Sequence, residues 1–235
     1  MPPERFAEIK WEDIRQIYGE TLTLPLVNST EHFDLVKKLA NSGQKLSQLA
    51  RCYKGDINLG YFKDNLRNTK STSLLIRGDH VSPFFVNLSE EQTDRRWIQM
   101  DSMPSAAMKQ RIVCQNVSNM GLRQRVIASL VPSNVVVADS CNCLEVIADD
   151  IDELILLGYL NSTLLNWFFK KTSTNNHVNI YELDDLPIRK PSASQASKLR
   201  KMVSRCIEEA RNNPFSSGRS TSMESIMKEL DELVF

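Results

Sequence analysis

The sequence predicts an α+β fold, in which a twisted mixed or antiparallel sheet is flanked by helices and closed by a C-terminal helical hairpin. Short apolar segments recur from Leu74 to Ile147 with turn residues between them, which is typical of strands. An apolar helical stretch begins near Ile151, and two amphipathic stretches follow Pro191. Strands that are followed by helices, rather than alternating with them, favour the α+β class.

Six segments carry the strand prediction. Residues 81–88 contain Pro83, which confines this segment to a sheet edge or a bend. Residues 125–131 and 134–138 are separated by a Pro-Ser pair and are predicted to form a hairpin. The remaining strand segments are residues 74–76, 111–115 and 143–147.

Residues 1–44 are predicted to form an N-terminal linker or helical segment. Residues 28–31 offer a helix start, and an apolar face follows over residues 33–39. Residues 46–53 fit either a short helix or a strand. The stretch from residue 56 to 66 is polar and rich in turn residues, which predicts a loop around short strands.

The helical part of the chain is predicted in three pieces. The apolar stretch is interrupted by Leu160-Asn161-Ser162, and we expect this polar pair to make packing and backbone bonds. Ser192 and Gln195 have the spacing of a capping box before an apolar stripe, and Thr221 and Glu224 repeat that spacing. Two such helices are expected to pack as a hairpin against the domain or a partner.

Charge limits the classes of function. The formal net charge is zero, which excludes a uniformly basic protein that grips nucleic acid over its whole surface. Residues 51–80 nevertheless hold six basic and three acidic residues, a local excess of three. A cleft with one basic wall is therefore compatible with the sequence.

Sequence signatures of catalysis are missing. Asn212-Asn213-Pro214-Phe215 lacks the second proline of the Asn-Pro-Pro-aromatic loop of amino-group DNA methyltransferases, and it fits a helix-terminating turn better. Glu8-Ile9-Lys10 has the end of a nuclease metal pattern without the preceding Asp. There is no Gly-x-Gly-x-x-Gly motif and no P-loop. The sequence therefore predicts neither catalytic nor cofactor-binding residues in this chain.

Metal-ligand and targeting patterns are also missing. The three histidines are scattered without ligand spacing, and Cys141 and Cys143 are expected to point to opposite faces of a strand, so no metal site is predicted. The first residues are charged, unlike a secretory leader, and the apolar run over residues 154–169 is too short and too polar to cross a bilayer. Five cysteines, an odd number, favour a reducing cytoplasm.

Several segments, taken in order, resemble one known family. They are Gly55 and Asn58 in an early turn, residues 74–84 around Arg77 and Gly78, residues 111–117, the Leu-Asn-Ser helix at 160–162, Leu186-Pro187-Ile188, and the closing segment 229–235. Over residues 45–235 the chain resembles the C-terminal target-recognition (specificity) domain of type II or type IIG adenine-specific DNA methyltransferases and restriction-modification enzymes. Their methyl-transfer domain has no counterpart here. The chain is either a C-terminal fragment, which its Met1-Pro2-Pro3 start favours, or a separate specificity chain.

The resemblance implies a module that reads double-stranded DNA for an N6-adenine methyltransferase and has no catalytic centre of its own. It places the target-recognition domain at residues 45–190 and the helical hairpin at residues 191–235. The implied partners are duplex DNA and a methyltransferase domain or subunit, which would bind S-adenosylmethionine. No membrane partner is implied.

The predicted DNA-binding residues are polar or basic side chains in loops, which can contact phosphates or base edges. They are Lys54, Asn58, Arg77, His80, Gln115, Asn116, Asn119, Arg123, Arg125, Lys170, Lys171, Asn175, Asn176 and His177.

Alternatives to these roles stay open. Lys170 and Lys171 are equally suited to complement a helix dipole. Asn175-Asn176 fit a left-handed turn better than a base contact. Trp97 and Trp167 are expected in the core rather than as stacking platforms. A different class of function is a protein-interaction module that docks a partner through its C-terminal helices.

Overall fold

The computed structural model describes residues 9–19, 24–89, 96–213 and 221–234. Its helices are α1 (Trp11–Tyr18), α2 (Thr30–Ala40), α3 (Leu59–Phe62), α4 (Glu153–Asn161), α5 (Thr163–Thr172), α6 (Ile180–Asp184), α7 (Ala193–Asn212) and α8 (Thr221–Val234). Its strands are β1 (Gln44–Lys45), β2 (Ala50–Lys54), β3 (Leu66–Arg67), β4 (Ser73–Ile76), β5 (Val81–Ser82), β6 (Phe85–Val86), β7 (Trp97–Ile98), β8 (Arg111–Gln115), β9 (Ala128–Val131), β10 (Val135–Val137), β11 (Cys141–Val146) and β12 (Pro187–Ile188). The predictions that involve Glu8, Pro214, Phe215 and Phe235 concern residues outside the described ranges.

An antiparallel sheet in the order β2-β11-β8-β9 forms the centre of the fold. In its register, Cys143 lies opposite Tyr53 on one side and Val113 on the other. Ile112 and Leu144 belong to the core shared with the helices, whereas Val113 and Cys143 belong to a second core. Since both faces are covered, the inner strands are apolar without strict alternation.

A smaller mixed sheet in the order β10-β4-β7-β3 packs on this second core. β10 and β4 run parallel, and the remaining pairs are antiparallel. Leu75 and Val136 face away from the central sheet and are covered by Leu59 and Phe62 of α3. The loop predicted over residues 56–66 is therefore wrong at α3, because this outer face requires an apolar cover.

The predicted hairpin over residues 125–138 is also wrong. β9 pairs with β8 in the central sheet, and β10 pairs with β4 in the smaller sheet. Asn134, whose φ is 64°, lies in the left-handed region at the turn that carries the chain from one sheet to the other. β9 begins later than predicted because the backbone N–H groups of Arg125 and Val126 donate to the side-chain oxygen of Asn166.

The long apolar helix is divided into α4 and α5 at Ser162. This residue is extended, with φ −64° and ψ 149°, and its hydroxyl accepts a hydrogen bond from Leu165 N at 3.2 Å. Ser162 therefore caps α5. The residues from Ile155 to Asn161 are all buried, since α4 packs between the central sheet and the C-terminal helices.

The C-terminal helical hairpin is confirmed, as is the α+β class. Ser192 Oγ accepts from Gln195 N at 3.3 Å, and Gln195 Oε1 accepts from Ser192 N at 3.0 Å, which is the predicted capping box. Leu199 of α7 and Leu230 of α8 are buried in the core below the central sheet. α7 ends at Asn212, which is where the predicted helix-terminating turn begins.

The N-terminal helices contribute to the same core. α2 begins where the sequence predicts, because Ser29 Oγ accepts a hydrogen bond from His32 N at 3.3 Å. Phe33 and Val36 of α2 are fully buried. The ambiguous stretch over residues 46–53 forms a 3₁₀ turn (Leu46–Gln48) followed by β2.

Candidate nucleic-acid interface

Loops from both sheets meet at one end of the molecule. β2 and β8 end there and β11 begins there, as the pairing of Lys54 with Asn142 and of Gln115 with Cys141 requires. The smaller sheet ends at the same place, where Gly78 N–H donates to Ser140 Oγ at 3.1 Å. Most of the residues predicted to contact DNA lie at this end.

Two loops that are distant in sequence, residues 116–124 and 173–179, pair with each other and are termed the paired loops. Val117 and His177 form an antiparallel bridge. Backbone hydrogen bonds join Ser118 N to Asn176 O at 2.8 Å and Val178 N to Asn116 O at 2.8 Å. The paired loops therefore form a short ribbon-like unit beyond the end of the central sheet.

Arg125 is buried beneath the paired loops and donates hydrogen bonds to both of them. It is 1% exposed, and its guanidinium donates to Ser118 Oγ at 2.9 Å and to Asn175 O at 2.7 Å. The guanidinium also lies 5.4 Å from the Phe169 ring, and burial lowers the pKa of Arg125. Its contacts position the loops, while its predicted contact with DNA stays a prediction.

A chain of hydrogen bonds links Lys54, Asn116 and His177. The Lys54 ammonium donates to Asn116 Oδ1, and the amide nitrogen of Asn116 lies 3.5 Å from His177 Nδ1. Because Asn116 Oδ1 accepts from Lys54, its other amide atom is the NH₂ group, which donates. Asn116 is buried, whereas Lys54 and His177 are exposed. The structure thus brings these three predicted residues together.

Three exposed asparagines shape the surface of the paired loops. Asn119 Oδ1 accepts from Gly121 N at 2.8 Å and Asn175 Oδ1 from His177 N at 2.7 Å. Asn176 Oδ1 accepts from Met120 N at 2.9 Å, so it joins one loop to the other. The left-handed turn expected at Asn175-Asn176 is wrong: among the described non-glycine residues only Phe84 and Asn134 have positive φ. Side-chain hydrogen bonds to the backbone make these turns instead.

Arg77, His80 and Gln115 lie beside the paired loops and are more enclosed. His80 is buried, and its Nδ1 accepts from Arg77 N at 3.0 Å. Gln115 Nε2 donates to Val81 O at 2.7 Å. These bonds fix the short 3₁₀ turn (Gly78–His80) and the β5–β6 hairpin against β8. The structure supports a positioning role for His80 and Gln115.

The other predicted residues lie at the margins of this surface. Asn58 caps α3 through a bond from Gly60 N to its Oδ1 at 2.9 Å. Lys170 Nζ donates to Leu122 O at 3.0 Å, so the last turn of α5 contacts the paired loops. Arg123 is exposed.

The structure also shows where the two predicted core tryptophans and the two lysines of α5 lie. Trp97 is buried, as expected of a core residue. Trp167 is half-buried against the core, and Lys171 Nζ lies 5.3 Å from its ring. Lys170 and Lys171 both occupy the last turn of α5, where a positive charge complements the helix dipole.

Asn161 and Asn166 connect the two halves of the broken helix to the sheet. Asn161 Nδ2 donates to Ala128 O at 3.0 Å and its Oδ1 accepts from Ala128 N at 3.2 Å. Asn166 Nδ2 donates to Leu160 O at 2.9 Å. The packing role predicted for Asn161 is confirmed. Asn166 was missed, although a polar residue in an apolar helix is a signal that could have found it.

A buried ion pair between Asp56 and Arg111 fixes the loop that follows β2. The two side chains are 0% and 1% exposed, and Arg111 NH2 donates to Asp56 Oδ2 at 2.5 Å. The same oxygen accepts from Val137 N at 2.8 Å, which ties the loop to the smaller sheet. Burial raises the pKa of Asp56, against the lowering effect of Arg111. The sequence does not predict this pair, since 54 intervening residues separate its members.

Three of the cysteines, Cys114, Cys141 and Cys143, are buried packing residues of the central sheet. Cys141 and Cys143 lie in the core between the sheets, so the expectation that they point to opposite faces is wrong: residues two apart in a strand share a face. Burial raises the pKa of Cys143 to about 12, which keeps its thiol protonated. Among the described residues, no group of three or more His, Cys, Asp or Glu could hold a metal ion.

The fold and the paired loops define a recognition domain, in which a two-sheet scaffold presents polar side chains that hydrogen bonds hold in place. The chain belongs to the TaqI-like C-terminal specificity domain family, whose model matches residues 62–188. This match confirms the family predicted from the motifs and the specificity function that the resemblance implies. No curated protein matches the chain.

Solved structures of restriction-modification proteins have a similar fold. The type IIL restriction-modification enzyme MmeI in complex with DNA is 12% identical, with a TM-score of 0.55 over 81% of this chain and 33% of that one. A structure of a type I R-M system is 11% identical, with a TM-score of 0.50 over 81% of this chain and 42% of that one. The HsdS subunit from Thermoanaerobacter tengcongensis is 10% identical, with a TM-score of 0.48 over 94% and 52%. The chain spans between about a third and a half of these proteins.

In the described part of the chain, no helix is both long enough and apolar enough to cross a membrane.

Proposed function

We propose that this chain recognises a short sequence in double-stranded DNA on behalf of an N6-adenine methyltransferase in a bacterial restriction-modification system. The observation that carries the proposal is the ribbon of paired loops, which presents exposed Asn119, Asn175, Asn176 and His177 from a fixed scaffold. Family membership supports it, as does the fold shared with MmeI, which has been solved in complex with DNA.

The pairing and the chemistry of the paired loops suit a DNA groove. The major groove is about 12 Å wide and admits a two-stranded ribbon, and amide and imidazole groups can bond to base edges there. Val117, Met120 and Leu122 are also exposed on these loops, where they could contact thymine methyl groups. Lys54, beside the paired loops, and Arg123, near the end of one of them, are candidate phosphate contacts.

In this proposal, a separate methyltransferase domain or subunit works with the chain, binds S-adenosylmethionine and performs the methyl transfer. Such an enzyme must hold the duplex while the target base leaves the stack. The chain would bind the duplex in a sequence-dependent way, and this binding would determine which adenine reaches the methyltransferase. We place this activity in the bacterial cytoplasm, where the chromosomal DNA is.

Duplex binding as a function of salt tests the proposal. Fluorescence anisotropy of a labelled random-sequence duplex should give a negative slope of log affinity against log salt. Arg123→Ala should make that slope shallower by about 0.9, the effect of losing one phosphate contact. Arg205→Ala is the matched control, since Arg205 is exposed on α7, away from the paired loops. No duplex binding, or a flat slope, would overturn the proposal and favour a protein-interaction module.

A further inference from the structure

The side-chain amides of Asn119, Asn175 and Asn176 have a defined orientation. In each, the amide atom that faces a backbone N–H must be the oxygen, because two donors cannot bond to each other. The contacts are those to Gly121 N, His177 N and Met120 N, at 2.7 to 2.9 Å. The oxygen is therefore turned to the loop's own backbone, and the NH₂ group is left as the outward donor.

The imidazole ring of His177 also leaves a hydrogen-bond donor on its exposed side. The NH₂ group of Asn116 lies 3.5 Å from His177 Nδ1, so Nδ1 accepts and the proton of the neutral ring is on Nε2. Within the described chain, neither His177 Nε2 nor the three asparagine NH₂ groups has a protein acceptor. Lys54 adds an ammonium, which can only donate. The asparagine and histidine side chains exposed on the paired loops consequently present donors.

We infer that the paired loops read base edges that present hydrogen-bond acceptors in the major groove, and guanine above all. This inference rests on the proposed function. Guanine presents two adjacent acceptors, N7 and O6, whereas cytosine presents a donor, N4. A bidentate contact to adenine requires both the oxygen and the NH₂ group of an asparagine. Since the asparagine oxygens bond to the backbone of the loops, they are not available for a bidentate contact to adenine, and guanine is the preferred partner.

Asn-to-Asp substitution isolates the donor from the loop structure. Asn176→Asp keeps an oxygen for Met120 N and replaces the NH₂ donor by an acceptor, and Asn119→Asp does the same for Gly121 N. Gln110→Glu is a matched control for the added charge, because Gln110 is exposed and precedes β8, at the opposite end of that strand. Thermal unfolding of the three variants should match the wild type.

The measurement is selection of bound sequences from a duplex DNA library with a randomised central segment, using the full chain. The wild type should enrich guanine at one or more positions. Asn176→Asp or Asn119→Asp should reduce that preference roughly fivefold or more and shift it towards cytosine, because a carboxylate accepts from cytosine N4. Gln110→Glu should weaken binding to all sequences alike. Replacing the enriched guanines by 7-deazaguanine, which lacks N7, should weaken wild-type binding.

The outcomes separate the inference from the proposed function. Enrichment of a sequence without guanine dependence, or an unchanged preference in both Asp variants, would overturn the inference and leave DNA recognition standing. Absence of any enrichment by the wild type would overturn both.

Discussion

Loss of the Asp56 carboxylate is expected to destabilise the fold by about 3–5 kcal/mol, the usual cost of breaking a buried ion pair. In Asp56→Ala, the Arg111 guanidinium keeps its charge in a site where its side chain is only 1% exposed. The guanidinium keeps its hydrogen bonds to the neutral carbonyls of Lys109 and Val135, at 3.2 and 3.3 Å. The variant also leaves Val137 N–H without the acceptor it now has at 2.8 Å.

The intact pair is expected to contribute much less than this cost. Burial raises the pKa of Asp56 despite the adjacent guanidinium, so desolvation outweighs the attraction between the charges. The double variant Asp56→Ala with Arg111→Met, which buries no charge, should therefore be more stable than Asp56→Ala alone.

Thermal and urea unfolding of the two variants and the wild type measure these differences. For a chain of this size, the loss in Asp56→Ala corresponds to a fall in Tm of roughly 6–20 °C. Two results would refute the reasoning: a loss below about 1 kcal/mol in Asp56→Ala, which is the range of an exposed pair, or a double variant less stable than the single one.

Three further predictions concern the scaffold. Gly55→Ala should cost about 1–3 kcal/mol by urea unfolding, because the new Cβ would lie 2.1 Å from the backbone oxygen of Ala138. Asn166→Ala should cost roughly 2–4 kcal/mol, since it leaves two buried backbone N–H groups unbonded. The pKa of Glu145 is lowered, chiefly by the hydrogen bond from Lys109. The ionised carboxylate therefore stabilises the fold above a pH of about 4.3, the pKa of an unperturbed Glu, and this stabilisation is lost as the pH falls through the lower pKa of the folded state. Glu145→Gln should reduce the acid-induced loss of stability by at most about 1 kcal/mol, measured by unfolding across that pH range.

Each of these has a control and a contradicting result. Gly121→Ala, whose Cβ would meet only a side-chain oxygen at 3.2 Å, should cost less than Gly55→Ala. Asn166→Ala as stable as the wild type would show that the strand N–H groups find other acceptors. A pH profile of Glu145→Gln identical to that of the wild type would mean that solvent screens the Lys109 bond completely.

The elements best predicted from sequence are those specified by nearby residues. The capping box at Ser192 and the cap at Ser29 mark helix starts that the structure confirms. The strand at residues 111–115 was predicted to the residue. In these cases a side chain bonds within its own turn, or an apolar run is bounded by turn residues, so local chemistry decides the conformation.

The errors arise where distant residues decide. Arg125 and Val126 belong to a segment with the pattern of a strand, yet the side-chain oxygen of Asn166 accepts the hydrogen bonds that a neighbouring strand would have accepted from them. The paired loops likewise depend on bonds between residues about sixty apart, such as Ser118 and Asn176. The sequence predicts many contact residues in these loops, but it does not show which of the predicted residues are buried as supports, as Arg125 is.

The pairing of the two loops has a consequence for how target preference can diverge during evolution. Asn176 bonds across to Met120, and Val117 bridges to His177, so a change in one loop alters the backbone partners of the other. A new target should therefore be acquired by joint change of residues 116–124 and 173–179. Grafting either loop alone into a relative would leave its hydrogen-bonding groups mismatched, whereas transfer of both together could carry the preference with it.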